Sequence, residues 1–243
     1  MANTMRKILT LINQLPKFMQ ALLELVYPKI CAACGEHLAQ QEAVVCLVCT
    51  IRLPYTNFHK FDQNPLHKKF WGRISPQYID SLLYLEKESK TQALLYLLKY
   101  HGRQDIGIYL AEQIVKRYLS HPLRQSINAI VCIPLHPLKL KKRGYNQCHS
   151  FSHHLSEAWN IPFYPRAIER IENSQSQTGN NRIDRWENVA NIFRVAKPKL
   201  LSNKHLLLID DVITTGATLE ACSLQLLQVE NTQLSILSMA CKV

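Results

Sequence analysis

The sequence predicts an α/β fold, a largely parallel sheet flanked by helices, preceded by a small cysteine-rich module. Three observations carry this expectation. From residue 76 onward short apolar runs alternate with helical patterns, two C-x-x-C knuckles stand near the N-terminus, and the stretch "HLLLIDDVITTGATLEA" at residues 205 to 221 runs from an apolar strand through two carboxylates into a threonine-glycine turn.

The totals agree with such a fold. At 243 residues and 47% hydrophobic content the chain is globular and long enough for one buried core plus an accessory module. Lys+Arg of 29 against Asp+Glu of 18 leaves a formal net charge of +11, which favours a polyanionic partner such as nucleic acid or a phosphorylated ligand. No run approaches the roughly 18 to 20 uncharged apolar residues of a membrane span, so the protein is not expected to be transmembrane.

Residues 1–27 carry apolar positions at helical spacing, Ile8, Leu11, Ile12, Leu15, Met19, Leu22, Leu23 and Val26, and predict an amphipathic helix. Asn13, Gln14, Pro16 and Lys17 interrupt the stretch and no small-residue cleavage site follows, which argues against a signal peptide and for a cytoplasmic protein.

Residues 28–56 hold the knuckles. Cys31 and Cys34, then Cys46 and Cys49, are separated by a spacer of eleven residues, while Cys132, Cys148, Cys222 and Cys241 are scattered. Each C-x-x-C turn sends two thiolates to one side, and two turns complete a tetrahedron, so the expectation is a zinc ribbon with structural Zn2+. His37 in the spacer is a substitute ligand, although four cysteines already close the shell. Cys132 and Cys241 sit in apolar runs as small core residues, whereas Cys148 follows a polar motif and is a candidate for exposure.

The polar, basic stretch 57–75, broken by Pro65 and followed by Pro76, reads as a linker. The main domain then spans 76–243. Its expected elements are a strand in "IDSLLYLEK", helices in "QALLYLLKY" and "IGIYLAEQIVKRYL", a strand in "AIVCIPL" and a helix in "QCHSFSHHLSEAW". A strand in "HLLLID", a helix in "ATLEACSLQLLQV" and a closing strand in "QLSILSMACKV" complete it.

In a parallel α/β sheet, ligands gather where strand ends meet helix N-termini. The turn Thr214, Thr215, Gly216, Ala217, Thr218 offers backbone amides, hydroxyls and a helix dipole to a monophosphate. Two carboxylates beside a phosphate cradle suit a ligand that also carries hydroxyls, so a ribose 5-phosphate answers the pattern, with its 2′ and 3′ hydroxyls on Asp210 and Asp211 and Mg2+ close by.

This stretch closely resembles the 5-phosphoribosyl-1-pyrophosphate (PRPP) motif of type I phosphoribosyltransferases. The rest of the chain, in its two knuckles, "LKYHG", "PLHPLKLKKRGYNQ" and "QTGNNRIDRWENVANIF", resembles one branch of that superfamily, the ComF family of competence and GntX-like nutrient-utilisation proteins. The resemblance implies a type I phosphoribosyltransferase-like domain behind a zinc ribbon. It also implies that the segment after "AIVCIP", with Lys139, Lys141, Lys142, Arg143, Gly144, Tyr145, Asn146 and Gln147, is a loop that cradles pyrophosphate or meets DNA. A solvated basic surface is the alternative, and Tyr145 is placed to stack on a base. Asn146 and Gln147 are candidates to cap the next helix.

The long polar segment without periodicity around Gln177, Arg182, Arg185 and Asn188 reads as a flap, and by the same resemblance corresponds to the flexible loop that closes over the reacting centre. The functional reading is a DNA-uptake protein with a PRPP site and single-stranded DNA binding, working with other DNA-uptake proteins at the inner membrane face. A phosphoribosyltransferase that displaces pyrophosphate with an unidentified acceptor, or a PRPP sensor, are the alternatives, because the binding motif is common to all three.

Overall fold

The computed structural model describes residues 28–61, 63–171 and 192–242. The amphipathic helix expected over residues 1–27 and the flap residues Gln177, Arg182, Arg185 and Asn188 lie outside the described residues. The chain divides into two compact units between Arg52 and Leu53.

The first unit is held by its knuckles. Ile30 and His37 form an antiparallel bridge, the Cys31 N–H donates to Glu36 O at 2.7 Å, and the Gly35 N–H donates back to Cys31 O at 2.9 Å. The second knuckle runs into helix α1 (Leu47–Arg52). Glu42 anchors that run, accepting from the Leu47 N–H at 2.6 Å and the Ala39 N–H at 2.8 Å.

The second unit begins with segments that pack rather than link. A 3-10 turn (Phe58–Lys60) and helix α2 (Leu66–Phe70) set Phe58, Leu66 and Phe70 into the same core as the sheet, joined by Ile74. The stretch 57–75, which reads as a linker in the sequence, thus contributes core residues to the second unit, and the division between the units falls after Arg52. Pro65 misleads because it stands at the N-cap of α2, where a missing N–H costs nothing. The apolar spacing of Leu66, Phe70 and Ile74 was the signal to follow.

Strand β1 (Tyr78–Tyr84) leads to helices α3 (Lys90–Tyr100), α4 (Gln104–Arg117) and α5 (Pro122–Ser126). Strand β2 (Ala129–Cys132) is followed by α6 (Pro137–Arg143) and α7 (Gln147–Trp159). Strands β3 (Ile168–Arg170) and β4 (Phe193–Val195) pair antiparallel as a small separate sheet. Strand β5 (His205–Ile213), helix α8 (Ala217–Leu226) and strand β6 (Gln233–Cys241) close the unit.

The main sheet has the order β1-β6-β5-β2 with every pair parallel, as the alternating pattern predicts. Its inner strands are buried along almost their whole length, which is why "HLLLID" and "LSILSMAC" read as continuous apolar runs without alternation. Parallel register places the end of β2, where Cys132 pairs with Ile209, beside the point at which β5 reaches Asp210.

Two expectations change here. Strand β5 runs through both aspartates to Ile213 instead of ending at Asp210, with Asp210 paired to Ser238 of β6. The basic stretch after β2 is not a loop but the two-turn helix α6, started by His136, whose Nδ1 accepts from the Leu138 N–H at 3.2 Å, with Pro137 in its first turn. Gly144 ends it in the left-handed conformation.

The turn between β5 and α8 depends on Gly216. Its φ is +83°, and a Cβ there would meet the Phe70 ring at 2.8 and 2.9 Å. Gly216→Ala is expected to destabilise the unit by about 2 kcal/mol or more, the sum of left-handed strain and overpacking. Thermal unfolding checks this as a midpoint several degrees below wild type; an unchanged midpoint would mean that the turn has room to rearrange.

Candidate functional site

Asp210 and Asp211 are both 8% exposed at the carboxyl end of β5, so neither is a solvated surface acid. Burial first, and the charge of Asp211 second, push the Asp210 carboxyl well above the usual carboxylate range, with Lys99 pulling weakly the other way. Its Oδ1 accepts from the Asp211 backbone N–H at 2.8 Å. Asp211 is held differently. Lys99, in the last turn of α3, brings Nζ to 2.6 Å from Asp211 Oδ2, and Gln147, the first residue of α7, donates to the same oxygen from Nε2 at 3.0 Å.

Gln147 is itself fixed by its surroundings. Its carbonyl oxygen accepts from Arg143, whose guanidinium lies 5.4 Å over the Tyr100 ring. Asn146 caps α7 as expected, accepting from the Cys148 N–H at 3.0 Å, and its Nδ2 donates to Ile133 O at 2.8 Å, which ties the helix start to the end of β2. Three segments distant in sequence thus form one chain of charge and hydrogen bonds, Lys99 to Asp211 to Gln147 to Arg143.

Beside it, the turn of Thr214, Thr215, Gly216, Ala217 and Thr218 opens α8. Thr214, Thr215, Ala217 and Thr218 are exposed, Gly216 is buried against Phe70, and the Thr215 hydroxyl accepts from the Ala217 N–H at 3.4 Å. The first-turn amides of a helix have no acceptor within the helix and attract anions. Glu220 in that first turn would repel a phosphate, but Arg73 meets it at 2.6 Å and neutralises it.

The basic residues divide. Lys139, Lys141 and Lys142 are exposed along α6, and Arg143 is half-buried in the network above. Tyr145 is half-buried, and its hydroxyl donates to Leu98 O, pinning the turn after α6 to α3. Cys148, a candidate for exposure in the sequence, is fully buried, and burial, with Asp211 and Asp210 adding to it, raises its thiol well above the ordinary value. Burial likewise pushes Cys132 up to about 12, with Asp210 adding to it. Both thiols are inert packing groups.

The four cysteines of the first unit converge. The sulfurs of Cys31, Cys34, Cys46 and Cys49 all lie within 4.8 Å of one another, and Cys34 Sγ stands 3.9 Å from Cys46 Sγ. A tetrahedral Zn–S bond of about 2.3 Å gives an S–S edge of about 3.8 Å, so the set fits a four-thiolate metal site and not a disulfide. Backbone amides already serve the thiolates: Cys31 Sγ accepts from the Cys46 N–H at 3.3 Å and the Ala33 N–H at 3.4 Å. Burial opposes ionisation of Cys31, but these bonds outweigh it and bring the thiol down to about 7. His37 is exposed and outside the sulfur cluster.

Lys99 and Tyr100 were not singled out as site residues from sequence. The signal was present, since both lie in "LKYHG", but a lysine in the last turn of an amphipathic helix is an ordinary complement to the helix dipole.

The geometry defines a class: a parallel α/β unit with a carboxylate pair and a threonine-glycine turn at the end of an inner strand, joined to a four-cysteine module. Homologues carry particular names. The chain is 33% identical to Competence protein F of Haemophilus influenzae over 151 residues, 62% of this chain and 63% of that protein. It is 26% identical to DNA utilization protein YhgH of Escherichia coli K12 over 211 residues, 80% of this chain and 88% of that one. The match thus spans less than two thirds of the Haemophilus protein, and 56% of YhgH from Salmonella. No family model matches the chain.

Among solved structures, the chain is similar to the glutamine PRPP amidotransferase of B. subtilis, with a TM-score of 0.41 and 13% identity over 59% of this chain and 30% of that one. It is also similar to adenine phosphoribosyltransferase of Leishmania tarentolae, with a TM-score of 0.37 and 11% identity over 74% and 89%. Among the described residues no helix is long and apolar enough to cross a membrane.

Proposed function

We propose that this chain acts in DNA uptake, that its α/β unit binds PRPP or a related ribose 5-phosphate with magnesium, and that it binds single-stranded DNA. The observation that carries the reading is the convergence of Asp210, Asp211 and the Thr214–Thr218 turn at the end of β5. The names of the homologues support the DNA arm, as do the net charge of +11 and the exposed lysines of α6.

Each residue has a task in this scheme. The turn amides and the Thr214, Thr215 and Thr218 hydroxyls hold the 5-phosphate, while Asp210 and Asp211 accept from the ribose hydroxyls. Lys99 holds Asp211 in place through their ion pair until the ligand arrives and then stands at the rim of the site. The carboxylate pair would hold magnesium together with PRPP, and the ion would supply positive charge to offset the pyrophosphate. The four cysteines hold zinc structurally, since a closed thiolate shell leaves no position for substrate.

The test is calorimetric titration with PRPP and magnesium, together with anisotropy of a labelled single strand across a salt series. Saturable PRPP heat and steeply salt-dependent strand binding support the reading. Lys141→Ala with Lys142→Ala should then reduce the salt slope by about 1.4, at roughly 0.7 for each single-strand phosphate contact. An unchanged slope removes α6 from the DNA surface, and the absence of PRPP heat removes the ribose-phosphate site.

One observation favours a transferase as the second reading. A cavity of about 590 Å³ lined by Asn64, Phe70, Trp71 and Ile74 shares Phe70 with the Gly216 turn, and would suit a planar acceptor. Pyrophosphate release from PRPP that requires an added base or strand would select this reading.

A further inference from the structure

Helix α3 turns two different faces to its surroundings. Thr91, Leu94, Leu95 and Leu98 are buried, whereas Tyr96 and Tyr100, one turn apart, are 54% and 67% exposed. Their ring centroids lie 5.2 Å apart, and His101 adds a third ring 5.2 Å from Tyr96. The Arg143 guanidinium stands 5.4 Å over Tyr100, and the exposed lysines of α6 belong to the same element as Arg143. An exposed aromatic pair at this spacing contributes only a few tenths of a kcal/mol to a helix, so helix stability does not account for it.

We propose that Tyr96 and Tyr100 are a stacking platform for bases of a single strand, whose phosphates are met by Lys139, Lys141 and Lys142. This rests on the DNA-binding reading above and gives it an address. The chemistry matches what unpaired strands require: π-faces for the bases, which tolerate any sequence, and cations alongside for the backbone. A duplex has no free base faces for such a platform, so charge and rings together specify a single strand. The helix that carries the platform also reaches the carboxylate pair, because Lys99, which contacts Asp211 at 2.6 Å, directly precedes Tyr100.

Base stacking, which the sequence offers at Tyr145, is carried in this proposal by these two rings. Tyr145 spends its hydroxyl on Leu98 O and stiffens the end of the same helix.

The experiment compares an oligothymidylate with an abasic strand of equal length, so that the phosphates are matched and only bases differ. Wild type should prefer the thymidylate by roughly tenfold or more, the scale of stacking one or two bases. Tyr96→Leu with Tyr100→Leu keeps bulk and helix propensity but removes the π-faces; it should erase the preference, leave abasic binding and the salt slope unchanged, and retain the wild-type circular dichroism. Tyr96→Phe with Tyr100→Phe should restore the preference. A full preference in the leucine variant would overturn the platform while strand binding itself stood. Wild type that binds neither strand would overturn the platform together with the DNA reading.

Discussion

Asp210→Asn combined with Asp211→Asn is expected to weaken PRPP binding at least a hundredfold while leaving the α/β unit folded. The size follows from the bonds lost. A hydroxyl donating to a carboxylate is worth about 1.5–3 kcal/mol, and two such bonds in a buried site exceed the roughly 2.7 kcal/mol of a hundredfold change. The fold survives because Asn matches Asp in shape and relieves rather than creates a buried charge at Asp210. Lys99, left without its partner, is 24% exposed and regains water.

The single variant Asp210→Asn is expected to change stability in a pH-dependent way. A carboxyl whose folded value lies above its unfolded value makes the folded state lose stability as pH rises above the unfolded value, because ionisation is resisted only in the fold. Asp210→Asn should therefore gain thermal stability over wild type as pH is raised from the ordinary carboxylate range toward neutrality. PRPP heat unchanged in the folded double variant would take the pair out of the ligand site.

The second large effect is expected on metal removal. Among the described residues of the first unit the buried side chains are Cys31, Ala32, Val45 and Cys49, and two of these are cysteines, so an apolar core scarcely exists there. Zinc binding in comparable peptides supplies about 10 kcal/mol or more of folding free energy, well above what so few apolar groups provide. A strong chelator should release one zinc per chain, render all four thiols open to alkylation, and unfold residues 28–52. The second unit should keep its thermal midpoint, since its core is drawn from Phe58 onward. Hydrogen exchange reads both outcomes at once; protection of residues 28–52 that survived chelation would show that the knuckles fold without metal.

Much of the frame was legible in the sequence because its signals are local. Continuous apolar runs mark strands buried on both faces, and β1, β2, β5 and β6 all form where such runs stand. Less legible were elements whose apolar residues are few and widely spaced. Phe58, Leu66 and Phe70 lie among lysines and prolines, so a core segment passed for a linker. The α6 helix passed for a loop because it has no buried residue, and its cap at His136 is not among the strongest capping types.

By itself the sequence determined the two C-x-x-C turns, the order of strand, carboxylates, threonine turn and helix, and the excess of positive charge, since each is a matter of spacing or composition along the chain. Only the tertiary structure decided that Lys99 and Gln147 hold Asp211, that Arg73 silences Glu220, and that Tyr145 pins while Tyr96 and Tyr100 stay open. Gln147 and Asp211 are 64 residues apart, and Arg73 and Glu220 are 147 apart. Partners at such separations are chosen by how the helices pack across a parallel sheet, and no local propensity or periodicity records that choice.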